Sequence, residues 1–465
     1  MARQPLKRLR PSEIDPALAR FVRAEMRDTG TPGAAVGILH KGRAFASGFG
    51  VTSVDAPDRV DAETLFQIGS TTKTFTATAI MKLVELGKVD LDARVRRYLR
   101  DLNLKDEEVA RKVTIRHLLT HTGGWAGDLF YEDSERGDDS LALSMERLKR
   151  APQLTPLGTV WHYNNAGFYI AGRVIEKVTK QTFEQAIREL LFEPLGMSRS
   201  FFFAEEAIGY RIAAGHLTKT FRSKKHFVAR PWELPRYVSP AGGIVADVVD
   251  QLRWAEFHMG DGRTPTGKRL LKKSTLKEMQ RPQFDAGGSI AEHVGISWLL
   301  EDVEGVALVS HGGTTNGHLS AFVMVPELDF AITVLTNSTR GIQVYKSVVN
   351  RALKRYLGLD RKPPSPTEVD DLDPKKFEGR YVDGFKTFAI EMQARGKTLR
   401  ASYSALNGEE SPGLPPFRLS LLPDDRAVIS GGRLDGYRAD FLRDERGRVR
   451  WFRIGGRLLR RTPAR

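Results

Sequence analysis

Strand patterns stand at both ends of the first 350 residues, and helical patterns fill the interval between them. Near the start, "TPGAAVGILHKGRAFASGFGVTS" reads as two half-apolar strands around the turn His40-Lys41-Gly42. Far downstream, "VGISWLLE", "VALVSHGG", "HLSAFVMVP" and "FAITVLTN" return to the same alternation. From Thr71 to about Tyr210 the apolar residues recur instead at helical spacing. A sheet drawn from two distant parts of the chain implies one discontinuous α/β domain with an α subdomain inserted over about residues 70–235. A first helix is expected from Pro16, capped by Asp15, with Leu18, Phe21, Val22 and Met26 on one face.

The chain has 465 residues, more than one ordinary core organises, so a second unit is expected. The segment "YLGLDRKPPSPTEVDDLDP" gathers prolines and acids after a helical pattern and reads as a linker. We place the main domain at residues 1–356, the linker at 357–371 and a small β domain at 372–465. In that last part "FKTFAIEMQARGKTLRASYS" and "GRVRWFRIGGRLLRR" alternate as strands with glycine turns. No internal repeat occurs at solenoid periods.

Zero cysteines exclude a disulfide framework, a thiolate metal site and a cysteine nucleophile. The N-terminus begins basic, but no apolar run of signal-peptide length follows it. No stretch of about 18 apolar residues occurs elsewhere. A cytoplasmic protein with no membrane partner is therefore expected. A formal charge of +15 favours anionic partners at long range. The basic residues are nevertheless spread along the chain without interleaved aromatics, so nucleic acid is not expected as a partner. The densest basic stretch, from Arg443 onward, reads as a solvated surface.

In "IGSTTKTFTATAIM" a glycine turn runs into a helix, with Lys73 one turn after Ser70 on the same face. A serine hydroxyl needs a base to act as a nucleophile, and an amine held in a buried setting loses its proton more readily. Ser70 at a helix start also offers its own N–H to an oxyanion. The following residues Phe75, Ala79, Ile80, Leu83 and Val84 suggest an amphipathic helix that anchors the serine. A second copy of the spacing, Ser274 to Lys277, lies in the polar segment "LLKKSTLKEMQRP" and reads as a surface helix capped by Ser274.

Two further stretches carry groups suited to the same chemistry. Tyr163-Asn164-Asn165 precedes an apolar helix; beside cations a phenol can ionise or relay a proton, while Asn165 would orient Lys73 and meet a substrate amide. Both also have purely structural readings, as a hydrogen-bonded buried tyrosine and a helix cap. His311-Gly312-Gly313 ends one strand before another, where glycines let a substrate backbone approach and the Thr314 N–H joins an oxyanion hole. The similar triplets at His121 and His258 read as structural helix ends. His117 and His121 are four apart but lack a glutamate between them and a third ligand, so no metal is expected.

The order Ser-x-x-Lys, Tyr-x-Asn, then a basic residue with glycine two positions on resembles the serine β-lactamase and penicillin-binding-protein family. The resemblance is strongest to class C β-lactamases and their esterase and D-aminopeptidase relatives. The flanking "VTIRHLLTHTGG", "PLGTVWHYNNAGFYIAG" and "EPLGM" agree, and the similarity runs from about residue 14 to 355. It implies an antiparallel sheet flanked by helices, with the helical subdomain across a cleft. It further implies Ser70 as the acylated nucleophile, Lys73 and Tyr163 sharing acid and base duties, and Asn165, His311, Gly313 and Thr314 holding the substrate. No cofactor is implied. The segment opening "FEGRYV" resembles the lipocalin-like barrel appended to some members.

One departure is chemical. The family's Lys-Thr-Gly becomes His311-Gly312-Gly313, which removes a fixed ammonium and a hydroxyl. Esters or small amides are therefore expected as substrates ahead of β-lactams, with a D-stereospecific aminopeptidase or peptidase as the alternative. A penicillin-binding sensor without turnover is the third reading, and a homo-oligomer is compatible with all three.

Overall fold

The computed structural model describes residues 9–130, 136–220, 223–361, 372–406, 415–431 and 434–462. Its largest element is an antiparallel sheet of eight strands. Their order is Arg43–Gly50, Gly33–His40, Phe330–Thr336, Leu319–Val325, Val306–Thr314, Leu299–Val303, His293–Val294 and Phe284–Asp285. The hairpin at one edge turns at Lys41 and Gly42, both with positive φ. That pair suits the right-handed twist of the two strands. The three strands Gly33–His40, Leu319–Val325 and Phe330–Thr336 are buried almost throughout, because helices cover both faces.

One face carries the helices Pro16–Thr29 and Gly341–Leu357, which pack together through Leu18, Val22, Val344 and Val348 against Val36, Val323 and Val334. The first of these helices begins as the sequence predicts. Asp15 Oδ1 accepts the N–H groups of Ala17 at 2.9 Å and Leu18 at 3.1 Å, and Pro16 takes the first position. On the other face lies the larger core, where helices Thr72–Glu85, Asn165–Thr179 and Val248–Met259 meet.

Two local expectations are corrected. The Thr72–Glu85 helix is not amphipathic in place: Thr72 through Met81 are all buried, since helices and sheet enclose it on every side. In the second Ser-x-x-Lys copy the helix runs Lys273–Met279 with Lys272 at its cap position, so Ser274 lies inside an exposed turn. Of the expected linker, residues 362–371 lie outside the described residues.

The C-terminal strands form a closed antiparallel barrel of eight in chain order, from Gly379–Asp383 to Arg457–Thr462, with first and last strands paired. Its interior is apolar, filled by Tyr381, Leu399, Leu419, Phe441, Phe452 and Leu459. Closure leaves no sheet edge open to stray pairing. The basic stretch after residue 440 builds the last strands: Arg443, Arg446, Arg448 and Arg460 are exposed, as a solvated surface requires, while Arg453 is buried against Asp440 and Arg457 pairs with Asp128.

Candidate active site

Ser70 sits in a single 3-10 turn, Gly69–Thr71, that leads directly into the Thr72–Glu85 helix. The turn is held from two sides. Ile68 N donates to Ile244 O at 3.0 Å, and Ser320 Oγ on the sheet donates to Ile68 O at 2.7 Å. Ser70 keeps partial exposure while Lys73, one turn on, is fully buried. Lys73 Nζ lies 3.1 Å from Ser70 Oγ and donates to the Ala241 carbonyl at 2.6 Å. Burial holds its pKa well below the ordinary lysine value, the positive charge of Arg457 lowers it further, and Asp128 opposes both. The amine is thus favoured as a free base, with a lone pair for the serine proton.

Tyr163 is 5% exposed and its hydroxyl has no hydrogen-bond partner; Ser70 is the group able to hydrogen-bond its ionised form. Burial raises the phenol's pKa more than Arg457 and Ser70 lower it. At neutral pH it is a phenol and a proton donor, which favours the relay over the ionised form of the two roles expected for it. Its ring stacks on His121 at 4.4 Å between centroids, and the Arg457 guanidinium lies 4.4 Å from the ring centroid. Lys73 Nζ is 5.0 Å from the same centroid.

Asn164, not Asn165, caps the Asn165–Thr179 helix: its side chain accepts from Gly167 N at 2.8 Å. Asn165 Nδ2 donates to Asp128 Oδ1 at 2.6 Å. The expected link from Asn165 to Lys73 is replaced by this one, and Lys73 is oriented by Ala241 instead.

His311, Gly312, Gly313 and Thr314 are the last four residues of the strand Val306–Thr314, which they end as the sequence suggests. Neighbouring strand Leu299–Val303 pairs only as far as Ser310, so the edge from His311 to Thr314 is not paired by it there and passes the Gly69–Thr71 turn. A Cβ on Gly313 would stand 1.9 Å from the Ile68 carbonyl, so only glycine allows this approach. Thr315 N donates to His318 O, and strand alternation therefore turns the Thr314 N–H away from the Leu319–Val325 strand, toward Ser70. His311 Nδ1 donates to the Gly312 carbonyl at 2.7 Å, which leaves Nε2 a buried acceptor without a partner. Burial pushes its pKa down to about 3, and nearby Lys73 contributes. The third motif thus brings a neutral imidazole and no cation.

Three groups here escape sequence reasoning. His121 lines the site: its Nδ1 accepts the Asn164 N–H at 3.0 Å, so Nε2 carries the proton. Asp128 follows "HTGGWAG" closely and meets Asn165 and Arg457. Arg457 comes from the barrel, on the turn Gly455-Gly456 that enters the cleft. The paired glycines in "RIGGRLL" signal a tight turn, but nothing local signals its destination. Among the described residues no cluster of three His, Cys, Asp or Glu side chains could hold a metal ion. No helix among them is long and apolar enough to cross a membrane.

The family described as Beta-lactamase matches residues 18–352, and the chain belongs to it. It is 34% identical over 372 residues to "Penicillin-binding protein 4" of Amycolatopsis lactamdurans, covering 78% of this chain and 92% of that protein. It is 26% identical to "Unguisins hydrolase ungD'" of Aspergillus campestris, covering 87% of this chain and 74% of the relative. Among solved structures, SurE superposes with a TM-score of 0.75 at 24% identity, covering 96% of this chain and 98% of SurE. The D-amino acid amidase of Ochrobactrum anthropi SV3 gives a TM-score of 0.61 at 23% identity, covering 73% of this chain and 98% of that one. These two likenesses concern the fold, and SurE's extends across the barrel.

Proposed function

We propose that the protein is a serine hydrolase that forms an acyl-enzyme on Ser70 from small amides, peptides or carboxylic esters. The observation that carries this reading is a fully buried amine, its pKa depressed by that burial, 3.1 Å from the hydroxyl of Ser70. Lys73 takes the Ser70 proton as Oγ attacks the acyl carbon. The N–H groups of Ser70 and Thr314 receive the negative charge on the carbonyl oxygen. Tyr163 gives its proton to the leaving amine or alkoxide and regains one from the Lys73 ammonium. Water then attacks the ester, with the same two groups returning the proton to Ser70.

A peptide-like acyl chain suits the edge from His311 to Thr314 left unpaired by the strand Leu299–Val303, where backbone groups extend a strand. The neighbour called a D-amino acid amidase supports an amide over an ester and favours testing D-residues first. Incubation with a fluorophosphonate, followed by intact mass and peptide mapping, is expected to place one adduct on Ser70. A folded protein with no adduct there would remove the proposal.

A further inference from the structure

Resting on that hydrolase reading, we propose that Arg457, delivered by the barrel, is a positioning residue for the Lys73–Tyr163 pair, balanced by Asp128. The geometry is specific. The Arg457 guanidinium covers the Tyr163 ring at 4.4 Å from its centroid. Its Nε donates to Asp128 Oδ2 at 3.0 Å and Nη2 to Oδ1 at 3.3 Å. The same Asp128 holds Asn165 at the start of the Asn165–Thr179 helix. Both partners keep part of their surface, so the pair sits in the cleft wall rather than in a core.

The turn that carries Arg457 is itself fastened to the Tyr163 loop. Tyr163 N donates to the Gly456 carbonyl at 2.7 Å. Four residues before Arg457, Arg453 Nη1 donates to the Trp161 carbonyl at 2.6 Å. These bonds fix the backbone from which Arg457 reaches, and the Asp128 pair holds the guanidinium itself.

The charges around Lys73 come from several elements. Tyr163, His121 and His311 are neutral at pH 7 for reasons of burial. Among the described residues that leaves Arg457 and Asp128 as the formal charges acting on the amine, one disfavouring its protonation and the other favouring it. Close pairing lets them offset each other, so each can be removed to opposite effect.

The test is the pH dependence of Ser70 acylation by a small uncharged fluorophosphonate, in the full chain. Below the Lys73 pKa the amine is protonated and acylation falls. Arg457→Met should move this acidic limb to higher pH, and Asp128→Asn should move it to lower pH. Arg457→Lys, which keeps the charge, should hold the limb near its original position. Opposite shifts establish the role, because loss of packing alone lowers the rate without moving the limb in two directions. Unmoved limbs, or shifts of one sign in both variants, overturn it. The Asp128 variant preserves the test where Arg457→Met fails to fold. An unaltered chain that gains no Ser70 adduct at any pH overturns the hydrolase reading instead.

Discussion

The backbone N–H of Tyr163 donates to the carbonyl of Gly456 at 2.7 Å, which joins the site's phenol to the last hairpin of the barrel. Gly456 holds φ +76°, and a Cβ there would stand 2.9 Å from the Trp161 ring. Gly456→Val is therefore expected to lose about 1–3 kcal/mol from backbone strain and crowding. Acylation should slow as Tyr163 loses its anchor. Thermal unfolding together with fluorophosphonate labelling rates checks both effects.

Lys73 governs a trade between activity and stability. Its folded pKa is depressed, so below its unfolded pKa the unfolded chain binds a proton that the folded chain resists. Stability from this position consequently falls as pH drops from the unfolded pKa toward the folded one. Lys73→Met should abolish acylation, a loss of at least about 10²-fold. It should also raise the unfolding temperature at pH 7, by a margin that shrinks as pH approaches 10. Calorimetry at pH 7 and pH 9.5 reads the difference.

Tyr163→Phe should separate substrates by leaving group. A nitrophenolate leaves without a proton, whereas an amine needs one, so anilide hydrolysis should fall by roughly 10²–10⁴-fold and nitrophenyl ester hydrolysis by much less. Equal losses on both would mean that the hydroxyl does not act on the leaving group.

His311 carries no proton to lose across the working range, since its pKa lies at about 3. The profile of kcat/KM between pH 5 and pH 9 should contain no limb that disappears in His311→Asn. Asparagine can still donate to the Gly312 carbonyl, so the variant should fold and change the rate alone. A limb near pH 6 lost in this variant would contradict the neutral assignment.

The buried pair Arg453–Asp440 gives a test of the barrel junction, with side chains only 4% and 8% exposed. Arg453→Met leaves Asp440 buried and unpaired and should cost about 3–5 kcal/mol. Asp440→Leu added to it should recover much of that loss. Denaturant unfolding of both variants measures the recovery.

Much of the fold was legible because its signals are local. Asp15 and Pro16 start a helix by hydrogen bonding within four residues, and the short apolar runs within 33–50 and 319–336 mark strands whatever their partners. Ser70, Lys73, Tyr163, His311 and Thr314 were legible through spacing, and the fold draws them into one cleft. Asp128 and Arg457 were not, because their meaning lies in each other: 329 residues separate them, and each alone resembles a surface charge. His121 follows the end of the helix Ile115–Leu119, as its structural reading expects, but its place beside the phenol was not legible. Its role rests on stacking against Tyr163, which no triplet encodes.

Because the barrel closes through its first and last strands, the cation beside Tyr163 arrives only when the whole C-terminal sheet has assembled. A fragment that stops at residue 361 would retain Ser70, Lys73, Tyr163 and His311 and lack the guanidinium that covers the Tyr163 ring. The two halves thus share one wall: a change at 453–457 reaches residues 161–163 directly, though 292 residues of chain separate Trp161 from Arg453.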